Sequence, residues 1–255
     1  MRRALLGLAS LFTVSVGAAT TAHAEDITLS TTLGFESRYM FRGIQFAQAS
    51  FQPTISAGYG GFYATAWLNL PVGDEDGLFL GGEELDLVAG YSTDLTEFVS
   101  VDVGVTYYTF PSLDDGIFDT YSEDGDGLGS NTVEPYIGLS FALPLSPSVY
   151  LYRDFMYDTF TVQGSLSYSY PLAEKISLDA SGIVGYVIDD DPGSDYLYGH
   201  LSLNISYAFS DHSSIYVGGR FGGSDIAGGS VIDDASLGIT KSNGFWSGLG
   251  FTAEF

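Results

Sequence analysis

Residues 245–255 read FWSGLGFTAEF, and they end the chain on an aromatic residue. Phe245, Leu249, Phe251, Ala253 and Phe255 fall on one face at a period of two, interrupted by Ser247. Gly248, Gly250, Thr252 and Glu254 fall on the other face, with Trp246 as the exception. This spacing predicts a strand with one apolar and one mostly polar face. A terminal strand either stands at a sheet edge, where its unpaired backbone invites aggregation, or pairs with the first strand and closes a barrel. A soluble sandwich can also end on such a strand, so the rest of the chain has to decide.

The same alternation recurs upstream. Over residues 159–170 the match to a two-residue period is complete: Phe160, Val162, Gly164, Leu166, Tyr168 and Tyr170 against Thr161, Gln163, Ser165, Ser167 and Ser169. Further strands are predicted near 27–41, 50–59, 62–70, 84–91, 99–110, 132–143, 148–155, 176–188, 196–209 and 213–221. With the closing strand that makes twelve. Most are long enough for the roughly 9–11 residues a tilted strand needs to cross a bilayer, whereas soluble strands average about 5–6. Short connections, such as Gly60-Gly61 and 210–212, alternate with longer acidic ones, such as 71–83, 111–131 and 222–234. Transmembrane barrels sort their turns and loops in this way. Tyr59, Phe62, Tyr91, Tyr107, Phe110, Tyr168, Tyr170, Tyr207 and Phe209 cluster near strand ends, as an interfacial girdle requires. The expected fold is an all-β, antiparallel, up-and-down transmembrane barrel. Alternation at Ala235, Leu237 and Ile239 keeps a fourteen-strand count open.

Composition bounds the function. Arg2 and Arg3, the apolar run 4–16 and Ala22-His23-Ala24 have the layout of a cleaved secretory signal over 1–24, leaving 25–255 as the barrel. The chain has no Cys, so disulfides and thiolate metal sites are excluded. Against 32 acidic residues stand only eight Lys plus Arg, and two of those lie in the signal. Such a charge repels nucleic acid. It equally repels anionic membrane surfaces unless divalent cations bridge the two.

If the apolar faces meet lipid, the other faces line a lumen. Glu84, Asp86, Asp102, Glu134 and Asp179 all fall on non-apolar strand faces. A charge facing lipid near the midplane costs about 2–4 kcal/mol, which this placement avoids. Arg38 and Arg42 near Glu36, Arg153 beside Asp154, and Arg220 all gather toward one mouth. They are either guanidiniums facing carboxylates across a constriction or ion pairs that bind the wall together. The acidic run 114–126 (DDGIFDTYSEDGD) invites a divalent cation, but it lacks the spacing of an EF-hand loop and reads equally as a solvated loop. For catalysis the best candidates are His200, Ser202 and Asn204, which share an inward face and not the lipid edge that a lipid hydrolase would use. The expectation is therefore no enzyme and no cofactor.

The stretch 36–44, ESRYMFRGI, followed by Gly61-Phe62-Tyr63 and Trp67, is distinctive. It resembles the Gcw_chp or TorF-type family of bacterial outer-membrane proteins that carry the label porin. The resemblance rests on Ser37, Tyr39, Phe41, Arg42, Gly43, Ile44, Gly61, Phe62, Tyr63 and Trp67. It implies an outer-membrane location in a Gram-negative bacterium. The terminal Phe255 likewise resembles the signal that the outer-membrane assembly machinery reads. The leading expectation is a narrow channel for passive diffusion of small cationic or neutral solutes, lined by Arg38, Arg42, Glu84, Asp86, Asp102, Glu134, Arg153, Asp179 and Arg220. The alternative is a plugged structural or partner-binding barrel acting through its acidic loops.

Overall fold

The computed structural model describes residues 27–72, 83–111, 118–119, 131–190, 193–225 and 243–255. Among these there is no helix. The strands are β1 (Thr28–Glu36), β2 (Tyr39–Phe41), β3 (Ile44–Ala47), β4 (Ser50–Tyr59), β5 (Phe62–Pro71), β6 (Glu84–Thr96), β7 (Val99–Thr109), β8 (Thr132–Phe141), β9 (Ser148–Arg153), β10 (Thr159–Ala173), β11 (Ile176–Asp189), β12 (Tyr196–Ser210), β13 (Ser213–Ser224) and β14 (Gly244–Glu254). All except β2 and β3 join one closed antiparallel barrel of twelve strands, each beside its neighbour in the chain.

The closing strand does what its pattern requires. β14 pairs with β1 from Ser30 opposite Glu254 to Glu36 opposite Gly248. The Phe255 backbone continues the seam: its N–H donates to the Leu29 carbonyl at 2.8 Å, and its carbonyl accepts from the Leu29 N–H at 3.1 Å. On its other edge β14 pairs directly with β13, from Ser213 opposite Ala253 to Gly222 opposite Gly244. That pairing fixes the count at twelve and leaves no place in the wall for two more strands. The alternating stretch 231–241, the acidic run 114–126 except for Phe118 and Asp119, and residues 1–24 lie outside the described residues.

The faces separate as the period of two dictates. Leu166, Val184, Leu201, Leu203, Ile205, Val217 and Leu249 are exposed on the outside. Inside, Gln52, Asp102, Gln163, Asn204 and Arg220 are buried. Trp246, the exception in the closing strand, is an inward residue whose ring sits edge-on to His200 at 5.6 Å. Inward glycines make room for tyrosines of the neighbouring strand. A Cβ on Gly90 would meet the Tyr63 ring at 2.3 Å, and one on Gly138 would meet Tyr150 at 2.2 Å. Phe110 does not join the aromatic rim; it is buried just past the end of β7.

The first predicted strand is the main departure. Residues 27–41 do not form one strand. β1 stops at Glu36, and residues 39–47 fold back as the β2–β3 hairpin, a separate two-stranded sheet. Its turn is Arg42-Gly43, with φ of 46° and 78°, between Phe41 and Ile44 paired in register. Two left-handed central residues make a type I′ turn, whose twist suits a tight hairpin. The hairpin's apolar side chains explain where it goes. Tyr39, Phe46 and Ala47 form a buried cluster with Trp67 of β5, so they pack against the inner wall and not into lipid.

Candidate functional site

The hairpin occupies the end of the lumen at which β1 finishes and β4 begins, which is the outer end if the termini face the periplasm. Tyr39 packs against Trp67 at 5.3 Å and against Phe46 at 5.6 Å, while Phe41 meets Tyr108 at 5.9 Å. From the turn, Arg42 reaches across to β8. Its two terminal nitrogens donate to the two carboxylate oxygens of Glu134 at 2.7 and 2.8 Å. Bidentate, charge-assisted pairs of this kind are the strong and specific ones. The guanidinium also lies 4.8 Å from the Phe41 ring and 5.0 Å from the Tyr152 ring. Tyr108 donates a further bond to Glu134 at 3.0 Å.

Gly43 sits beside Arg42 because nothing larger fits. A Cβ there would lie 2.6 Å from the Gly223 carbonyl oxygen of β13, and Ser224 donates to the Gly43 carbonyl at 3.2 Å. The hairpin thus touches β5, β8 and β13, on well-separated parts of the wall.

A second ion pair lies at the β1–β14 seam. Arg220 of β13 donates to Glu36 at 3.0 Å and to the Asn204 side chain at 2.6 Å. Gly248 lets this happen: a Cβ there would lie 2.0 Å from a Glu36 carboxylate oxygen.

Two carboxylates are held by hydroxyls and not by cations. Asp102 accepts from Tyr63 at 2.8 Å and from Tyr150 at 3.1 Å, and the Tyr63 hydroxyl also contacts that of Tyr136. Asp179 accepts from Ser169 and Ser206, each at 2.5 Å, and from Ser177 at 3.1 Å. Toward the end of the barrel that carries the chain termini, the wall is serine-rich. Ser148 bonds Ser165 at 2.6 Å, Ser181 bonds Ser202 at 2.7 Å, and Ser167 and Ser169 are exposed. The lumen is therefore packed behind the hairpin and polar and accessible at its other end.

A family model described as "Bacterial protein of unknown function (Gcw_chp)" matches residues 19–148. The chain belongs to the Gcw_chp family. No curated protein matches it. Among solved structures, this Gcw_chp chain is similar to the KdgM porin, with a TM-score of 0.53 and 13% identity over 89% of this chain and 99% of that one. The NanC porin gives 0.53 and 12%, over 88% and 98% respectively. The COG4313 outer membrane channel from Pseudomonas putida F1 gives 0.52 and 11%, over 94% and 98%. At such identities the likeness is one of fold: this Gcw_chp chain folds as a closed β-barrel of the bacterial outer-membrane kind.

The structure sorts the arginines further. Arg153 does not pair with its neighbour Asp154. It donates to the side chain of Asp158 at 2.6 Å and to the Asp158 carbonyl at 2.9 Å, in the connection after β9. Asp154 is occupied locally, accepting from Thr132 at 2.5 Å and from the N–H groups of Met156 and Tyr157 at 2.9 Å. Burial pushes the Asp154 carboxyl above its ordinary range, against the lowering effect of those bonds. Arg38 lies over the inward side of Gly244, where a Cβ would be 2.4 Å from its guanidinium. Glu84 and Asp86 are buried on β6, behind Tyr39. Ser202 of the candidate Ser/His pair bonds Ser181, and His200 faces Trp246. The inward tyrosines Tyr63, Tyr136 and Tyr150 were not among the candidates, although each falls opposite an inward Gly of a neighbouring strand.

Proposed function

We propose that this Gcw_chp barrel is a narrow channel for passive diffusion of small cationic or neutral solutes, with the β2–β3 hairpin as its constriction. In this reading residues 1–24 are a cleaved export leader and 25–255 the barrel. Phe255 is read by the assembly machinery, and the acidic loops are open to divalent cations. The observation that carries the reading is the inward wall. It is polar on every strand, and its carboxylates outnumber its guanidiniums. Arg42 and Arg220 are each matched to a glutamate, which leaves Glu84, Asp86, Asp102 and Asp179 without a basic partner among the described residues. Carboxylates along a pore favour cations, and a low-dielectric wall strengthens the preference by focusing the field. Salt weakens it, with a Debye length of about 10 Å at 0.1 M.

A second reading draws on a specific observation. Glu134, Asn69, Asn131, Asn204 and Asp86 are almost fully buried, so the lumen around the hairpin is filled. A barrel plugged in this way would be structural, or would act through partners bound to its acidic loops. Conductance of the refolded protein in planar bilayers separates the two. Steady conductance with a cation-sided reversal potential across a salt gradient supports the channel. Anion preference would mean that the arginines govern the pore, and silence would favour the plug.

A further inference from the structure

One inward cation is left over when the ion pairs are made. Arg38 lies just past the end of β1, and its guanidinium sits over Gly244 of β14. Among the described residues it joins no salt bridge; Glu36, two residues earlier, is engaged by Arg220. The Nη1 nitrogen of Arg38 is sealed from solvent and makes no hydrogen bond. A second sealed nitrogen without a hydrogen bond is Nε2 of His200, on β12.

The strand register brings these two side chains to one part of the wall. His200 stands opposite Gly222 and Gly222 opposite Gly244, so the three form one inward row across β12, β13 and β14. His200 covers Gly222, where a Cβ would lie 2.2 Å from that of His200. Arg38 covers Gly244, where a Cβ would lie 2.4 Å from Nη1. Trp246 follows Gly244 by two residues on the same face, and its ring meets that of His200 edge-on at 5.6 Å. A guanidinium, an imidazole and an indole thus share one patch of the lumen, beside the foot of the β2–β3 hairpin.

A donor shut off from water without an acceptor carries its full desolvation cost, and a charged donor carries the most. An Nη1 N–H and an imidazole with its proton on Nε2 offer two donors and one positive charge. A carboxylate answers both: it has two acceptor oxygens in one plane and a single negative charge. A phosphate dianion brings more charge than one guanidinium balances. The indole beside the two donors suits an attached carbon chain.

We propose that Arg38, His200 and Trp246 form a binding site for a small organic carboxylate, between the foot of the hairpin and the β12–β14 wall. Arg38 supplies the charge, His200 the second hydrogen bond and Trp246 the apolar side. The site goes beyond the channel reading, and its binding is measurable whether or not the barrel conducts.

The test uses the full chain refolded in detergent at neutral pH. Its two tryptophans are Trp67 and Trp246. Trichloroacetate, a carboxylate that quenches indole emission, should quench Trp246 in a saturable way, without shortening the lifetime of the emission that remains. The neutral analogue trichloroethanol should quench by collision only. Acetate should reverse the saturable part, and acetamide should not. That part should survive Trp67→Phe and vanish in Trp246→Phe. Arg38→Met should weaken trichloroacetate binding about tenfold or more, the usual effect of losing a hydrogen bond to a charged group. Arg38 makes no bond that the wall needs, so this variant should refold. His200→Phe keeps a ring against Trp246 and should weaken binding severalfold. Lys175→Gln removes the same charge from the β10–β11 turn and should leave binding unchanged. Acetate should also raise the unfolding temperature of the wild type and not that of Arg38→Met, a measurement that needs no tryptophan variant. Equal quenching by the acid and the alcohol, or saturable quenching that Arg38→Met leaves intact, would overturn the site. So would acetate shifts of the same size in the wild type and in Arg38→Met.

Discussion

Arg42→Met is the most informative single change. In the folded chain the Arg42 guanidinium meets a Glu134 carboxylate that is 1% exposed, and both carboxylate oxygens accept from it. Removing one partner of a buried pair typically costs about 3–5 kcal/mol, because the other charge is left uncompensated in a low dielectric. Here Tyr108 would remain as a donor to Glu134, so the lower half of that range applies. The hairpin can relieve the cost by withdrawing from the wall. The twelve-strand ladder does not depend on β2 and β3 for its pairing, so the barrel should survive. A loss of about 3 kcal/mol changes the ratio of seated to withdrawn hairpin by roughly a hundredfold. We expect refolded Arg42→Met to keep its heat-modifiable migration and to show larger or noisier single-channel conductance than the wild type. Adding Glu134→Gln removes the stranded charge and should restore much of the seated state. A single variant that conducts and unfolds like the wild type would refute the reasoning. So would a double variant no better than the single one, since the penalty would then not be the buried charge.

Other expectations follow from the same geometry. Gly43→Ala should destabilise the hairpin, since φ is 78° and a Cβ would lie 2.6 Å from the Gly223 carbonyl; protease sensitivity of residues 37–49 reads this out. Leu166→Arg and Leu203→Arg place a charge on the lipid face and should each cost about 2–4 kcal/mol in folding titrations into bilayers, whereas Ser167→Arg, at an exposed lumen position, should cost far less. Deleting Phe255 removes both backbone bonds to Leu29 and should slow assembly and expose the chain to periplasmic proteases; a normal assembly rate would refute the seam argument. Asp102→Asn with Asp179→Asn should move the reversal potential toward zero, while Asp124→Asn should leave it nearly unchanged.

The wall was legible and the lumen was not. Alternation located each of the twelve wall strands, with the largest errors at their ends, because a period of two is imposed on every strand that has lipid on one side. The charged strand residues fell on the polar face for the same reason. Periodicity also misled at 39–41. Tyr39 and Phe41 continue the alternation of β1, and only the left-handed pair Arg42-Gly43 shows that the chain has doubled back. The packed state of Thr106 and Ser202 could not be read either. Polar residues on an inward face look alike in sequence whether the lumen beside them holds water or a hairpin. Partner choice was similarly hidden: Arg153 has an acid next to it in the chain, yet its carboxylate partner is Asp158, five residues on.

The stretch that marks the family is therefore a statement about the lumen more than about the wall. Ser37-Arg38 and Gln48-Ala49 flank the hairpin, and ESRYMFRGI supplies its first arm, its turn and the start of its second arm. Gly61, Phe62 and Tyr63 begin β5, and Trp67 on the same strand is the surface on which Tyr39 and Ala47 pack. The region matched by the family model, 19–148, contains both ends of Arg42–Glu134, together with Glu84 and Asp86. It stops short of Arg220 and of the strand that closes the barrel. A wall alone needs only alternation and a final aromatic, which many unrelated sequences can supply. An inward hairpin needs a left-handed turn, an aromatic seat on the wall and a carboxylate within reach of its tip. Those requirements fix particular residues at particular spacings, and that is why this part of the chain is the recognisable one.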